Sequence, residues 1–165
     1  MGASWQNLLR KNWGESMVTI LCSACLLGVN CKYNGKASPN ERVLQLGKKY
    51  NLIPVCPEQL GGLPTPRVPQ EIQGMDGDAV LDGKCKVVNK EGKDVTENFI
   101  RGAHETLKIA KLFNAKLFIG KQRSPSCACG ETYDGSFTGR TVKGDGVTTA
   151  LLKRNGIKCM SQEEL

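Results

Sequence analysis

MVTILCS, residues 17–23, is a run of aliphatic and β-branched residues with no charge, and it ends at a serine. Such a run is too short for a buried helix and too apolar for a solvated loop, so it predicts a buried strand. The segment that follows, ACLLGVNCKYNGKA, scatters glycine and asparagine and reads as a loop. SPNE (38–41) then offers a helix start, with Ser38 as cap, Pro39 in the first turn and Glu41 as capping-box acid. Val43, Leu46, Gly47 and Tyr50 follow on one face. NLIPVC (51–56) is a second apolar strand ending at Cys56.

Further along, residues 57–69 hold four prolines and two adjacent glycines and predict an irregular loop. AVLDGKCKVV and NKEGKDV suggest a small strand or hairpin carrying Cys85. Phe99, Ala103, Leu107 and Ala110 recur at helical spacing within 96–113, the clearest helix in the chain. AKLFIG is a strand, GVTTALLKRNG a helix stopping at Gly156, and IKCMS a last strand. Alternating strand and helix predict a single α/β domain: a mostly parallel, Rossmann-like sheet flanked by helices, with a long cysteine-bearing loop region. Ligands of such sheets gather beyond the carboxyl ends of the strands. Cys25, Cys56 and Cys127 each lie just past a strand, so three cysteines distant in sequence converge at one sheet edge.

The chain has 165 residues, 39% hydrophobic and 24% charged, the profile of one globular domain able to bury its own core. It has no apolar run long enough to span a membrane and no signal-peptide pattern near its start, and cytoplasmic placement is the expectation. In a reducing compartment eight cysteines point away from a disulfide framework and toward metal binding or catalysis. A formal charge of +7 favours anionic partners without choosing among them. The one histidine, His104, rules out a site of several imidazoles, so any metal is held mainly by sulfur.

Cys85 and Cys159 sit in strand-like runs and read as small core residues, as does Cys22; His104 reads as structural or exposed. Cys31 and Cys129 are ambiguous. Cys22 with Cys25 could form a zinc-type pair and Cys127 with Cys129 a poorer one, so zinc is possible but badly spaced. An iron–sulfur cluster needs only convergence in space, and three thiolates on four irons leave one iron open as a Lewis acid.

SACLLGVNCKYNGK, PVCPEQLGGLPTPR, SPSC, YDGSFTG and GDGVTTALLKRNGI together resemble the motifs of the thiouracil desulfurases, a bacterial and archaeal family once known as a domain of unknown function. The resemblance runs from Met17 to the C-terminus, making residues 17–165 the desulfurase-like domain and residues 1–16 an extension outside the pattern. Trp5, Leu8, Leu9 and Trp13 of that extension fit one face of a short amphipathic helix. Asn34 stands where the family often has aspartate, and Cys129 is an extra thiol beside the ligand loop.

What the resemblance implies is an α/β fold holding a 4Fe–4S cluster on Cys25, Cys56 and Cys127, with one open iron. Glu58 would be the acid/base and Ser124 or Ser126 its hydroxyl partner. The activity implied is non-redox, hydrolytic removal of sulfur from thiolated uracil, thiouridine or its nucleotide. The alternatives are action on thiolated tRNA, sulfide sensing, or a zinc-containing nucleotide binder. The tRNA reading is disfavoured by the lack of a separate RNA-binding module. Lys32, Lys36, Ser38 and Asn40, around the predicted helix start, form with Arg123 a candidate phosphate-recognition region.

Overall fold

The computed structural model describes residues 17–165; the predicted amphipathic helix of the extension lies outside the described residues. Four parallel strands form the central sheet: β1 (Thr19–Ser23), β2 (Asn51–Val55), β5 (Leu117–Gly120) and β8 (Lys158–Ser161), in the order β2-β1-β5-β8. The register pairs Ile20 with Leu52 and Leu117, and Phe118 with Cys159. The sheet is covered on both faces, as its near-continuous apolar strands require. Leu21 and Phe118 point into one core with Phe99, Ala103 and Leu152, while Ile20, Cys22, Leu117 and Ile119 point into the other with Leu26 and Val43. Full burial of one such aromatic contributes about 2–3 kcal/mol.

The first core is built by α4 (Thr96–Leu112) and α5 (Val147–Arg154). In α4 the predicted positions Phe99, Ala103, Leu107 and Ala110 are all buried, and His104 is exposed. Helix α5 ends as expected, with Gly156 at φ +77° just past its cap, Asn155. Cys22 is fully buried and Cys159 packs against the first core.

Three local expectations are corrected. Helix α1 (Glu41–Leu46) is capped by Asn40, not Ser38. The Asn40 side chain accepts the Val43 amide at 3.1 Å, and Glu41 accepts from Gln45 instead of closing a capping box. The proline-rich stretch opens with one helical turn, α2 (Pro57–Leu60), because Pro57 suits the first helical position and Cys56 precedes it in extended conformation. Ala79 to Leu81 belong to α3 (Gly77–Leu81), whose first turn is capped by Asp76. Cys85 lies in the following turn, before β4 (Val87–Asn89), which pairs antiparallel with β3 (Gln70–Ile72). A second hairpin, β6 (Glu131–Tyr133) with β7 (Thr141–Lys143), rises from the loop after β5.

Candidate active site

The chain leaves β1 for β2 on one side, then returns past β1 to place β5 on its other side. That reversal opens a crevice at the carboxyl ends of the strands, and a cavity of about 330 Å³ lies there. Cys25, Cys31, Cys56 and Cys127 all line it. Each predicted ligand arrives on a different element.

Cys25 sits in a one-turn 3₁₀ helix (Ala24–Leu27) directly after β1, ended by Gly28 at φ +94°. Its carbonyl accepts the Ser38 amide at 3.0 Å, tying the loop back to the strand end. Cys56 is the residue before α2, with its thiol 3.7 Å from the Cys31 carbonyl. Cys127 is held by a loop that folds on itself: Ser124 Oγ accepts the amides of Ser126 and Cys127 at 3.3 and 3.1 Å. The same loop satisfies the first amides of α5, since Val147 and Thr148 donate to the carbonyls of Pro125 and Ser126. Two glycines make that docking possible. A Cβ on Gly120 would lie 1.9 Å from the Cys127 carbonyl oxygen, and one on Gly146 would lie 2.4 Å from the Ser126 carbonyl carbon.

Glu58 projects from the first turn of α2 into the cavity. Helix α2 lies on α4 through another pair of glycines: a Cβ on Gly102 would meet the Pro57 carbonyl oxygen at 1.9 Å, and one on Gly61 the Asn98 carbonyl oxygen at 2.0 Å. The carboxylate is clamped by Arg67, whose Nε donates to Oε2 at 2.8 Å and whose Nη2 donates to the same oxygen. Arg67 also donates to the carbonyls of Cys31 and Pro64 and to Thr65 Oγ1. Its side chain is 3% exposed and that of Glu58 12%, so the pair is shielded from bulk water. The second carboxylate oxygen, Oε1, is left to Ser126 Oγ, which donates to it at 3.4 Å. Ser126 is therefore the hydroxyl beside Glu58, while Ser124 builds the loop.

With no metal bound, three of the thiols are shifted upward by their surroundings. Burial pushes Cys127 up strongly. Cys56 is raised first by its contact with Cys31 and then by burial. Cys31 is pushed up to about 11, chiefly by its contact with Cys25. Four cysteines with no imidazole beside them are a soft, all-sulfur donor set, which suits iron–sulfur chemistry. Among the described residues, no three His, Cys, Asp or Glu side chains are grouped as ligands of a single metal ion would be. A cluster makes no such demand, because each thiolate binds a different iron.

Of the predicted phosphate group, Lys32 and Arg123 line the cavity. Lys36, Ser38 and Asn40 are not among its lining residues: Lys36 is exposed, the Ser38 backbone amide is bonded to the Cys25 carbonyl and Asn40 caps α1. Arg123 is paired with Glu131 and Glu163. Cys129 lies outside the cavity lining, its amide held by Gln122. Arg67 and Lys121 escaped the sequence reading. Lys121 lines the cavity with its amide on Ser23 Oγ, and burial lowers its pKa. The available signal for Arg67 was a lone arginine in a proline-rich loop nine residues after a candidate carboxylate.

A sheet edge that gathers cysteines and one clamped carboxylate defines an α/β enzyme of sulfur chemistry, and the family comparison places it. The 2-thiouracil desulfurase family model matches residues 20–164, and the chain belongs to that family. A Bacillus subtilis (strain 168) protein known as the uncharacterized protein YbbK is 46% identical over 146 residues, spanning 88% of this chain and 97% of its own. Among solved structures, the [4Fe-4S]-dependent thiouracil desulfidase TudS superposes with a TM-score of 0.79 at 39% identity, over 90% of this chain and 93% of that one. No helix among the described residues is long and apolar enough to cross a membrane.

Proposed function

We propose that this protein is a [4Fe-4S]-dependent desulfidase that converts thiolated uracil, or its nucleoside monophosphate, to the ordinary pyrimidine by hydrolysis. The observation that carries the reading is the meeting of Cys25, Cys56, Cys127 and Glu58 in one cavity, from three segments distant in sequence. Membership of the 2-thiouracil desulfurase family supports the substrate class. Cys25, Cys56 and Cys127 would hold the cluster, and Cys31 lines the same cavity without being required as a ligand. When bound, the cluster supplies an open, Lewis-acidic iron that holds and polarises the substrate's exocyclic sulfur.

The remaining work falls to the chain's own side chains. Glu58 Oε1 accepts a proton from water as the oxygen adds to the ring carbon bearing sulfur. Arg67 keeps Oε2 occupied, so the base presents one oxygen in one direction. Ser126 holds the water or Oε1 by its hydroxyl. The added oxygen then forms the carbonyl as the C–S bond breaks; Glu58 returns its proton to the departing sulfur, the hydroxyl proton leaves with it, and the products are uracil and hydrogen sulfide. No electron is exchanged. Lys32 in the cavity lining favours a substrate with an anionic group, which gives the nucleotide a lower KM than the free base, while the charge of Arg123 is met by Glu131 and Glu163.

Anaerobic purification with iron and acid-labile sulfide analysis tests the cluster half of the proposal. Expected is the iron-to-sulfide ratio of a [4Fe-4S] cluster, lost in Cys25→Ser, Cys56→Ser and Cys127→Ser and retained in Cys85→Ala. Full cluster occupancy in any of the three serine variants would overturn the ligand set.

A further inference from the structure

Of the three non-glycine residues among the described ones with φ in the left-handed region, two line the cavity: Arg123 at +57° and Phe137 at +56°. For a bulky aromatic this backbone conformation is strained and persists only where the surroundings impose it. Phe137 sits in the loop between β6 and β7, and three contacts fix it. Its amide donates to Glu71 Oε2 at 3.0 Å, and Glu71, in β3, is only 7% exposed. Gln73 Nε2 donates to the Gly135 carbonyl at 3.0 Å. Gly135, at φ +89°, passes so close to β3 that a Cβ there would stand 2.6 Å from the Ile72 carbonyl oxygen. The hairpin tip is thus pinned to the neighbouring hairpin, at the cost of strain, and the residue bearing that strain lines the same cavity as Tyr133.

We infer that Phe137, with Tyr133, is the wall on which the substrate's planar ring stacks, and that Glu71 is the positioning residue that holds this wall in place. The inference rests on the thiopyrimidine reading and adds its specificity element. An aromatic face stacks any flat heterocycle and is indifferent to whether the ring carries sulfur or oxygen. Orientation is left to the polar groups that line the same cavity. The wall therefore contributes to binding substrate and product alike, and little to the bond-breaking step.

The test uses the anaerobic holoprotein and two measurements: steady-state kinetics on 2-thiouracil, and equilibrium dialysis of uracil, which carries no sulfur. Phe137→Ala and Phe137→Leu are expected to raise both the KM and the uracil Kd by about tenfold, with kcat and the cluster's visible absorbance unchanged; Phe137→Trp keeps wild-type binding. Glu71→Ala is expected to weaken uracil binding in the same way, and Glu71→Gln, whose amide oxygen can still accept the Phe137 amide, to recover most of it. Wild-type KM and Kd in Phe137→Ala, or a leucine variant that binds as well as phenylalanine, would overturn the stacking wall. Equal uracil binding by Glu71→Ala and wild type would overturn the positioning role. Failure of the wild-type protein to act on 2-thiouracil would instead sink the desulfidase reading, with uracil dialysis still reporting on the wall.

Discussion

At Glu58, one guanidinium donates two hydrogen bonds to a single carboxylate oxygen, leaving the other to a serine at 3.4 Å. A charge pair this shielded contributes little net stability, because desolvation offsets the attraction, so its value lies in orientation. Glu58→Gln keeps the shape and one acceptor but cannot take a proton from water. Its cluster absorbance and product binding should match wild type, while kcat falls by about a hundredfold or more. A variant turning over at the wild-type rate would remove Glu58 from the mechanism. The role of Glu58 was legible only through the family motif. Arg67 was not legible, because its partnership depends on a loop bending back over nine residues, which no local pattern records.

Among the elements, α2 depends most on its neighbour. It is a single turn of four residues, far below the length at which a helix holds itself, and it is fixed by the mutual approach of Gly61 and Gly102. Gly102→Ala would place a methyl 1.9 Å from the Pro57 carbonyl oxygen. The expected cost is about 2 kcal/mol, seen as a lower urea midpoint, together with lower kcat as Glu58 is displaced; an unchanged midpoint would refute the packing account. The start of α4 supplies a pH-dependent contact. Asp94 accepts the Thr96 amide at 3.0 Å, and its pKa is lowered to about 2 by Thr96 first and Lys86 after it. The stabilisation is therefore present above the ordinary aspartate value and is lost as pH falls from about 4 toward 2. In Asp94→Asn the thermal midpoint should fall less steeply over that window than in wild type, and identical profiles would contradict the assignment. Helix α4 was readable because 17 residues repeat one apolar face. The three-residue strands β3, β4, β6 and β7 carry too few alternations to declare themselves, and α1 was read from Ser38 because the capping signals of Ser38 and Asn40 overlap.

At the scale of the whole molecule, the strand order β2-β1-β5-β8 puts the reversal of winding beside β1, and the convergence of Cys25, Cys56 and Cys127 follows from it. That convergence was legible without the structure, since it needs only parallel strands and cysteines just past their ends. The shape of the cavity was not, because Arg67, Lys121, Tyr133 and Phe137 enter from loops whose course is set by tertiary contact. The central claim is that this cavity replaces sulfur with an oxygen taken from water. Anaerobic holoprotein given 2-thiouracil in ¹⁸O-enriched water, with the product weighed by mass spectrometry, tests it most directly. Expected is uracil carrying one heavy oxygen and an equal amount of released sulfide. Uracil without the heavy label, or no uracil from cluster-loaded protein, would contradict it.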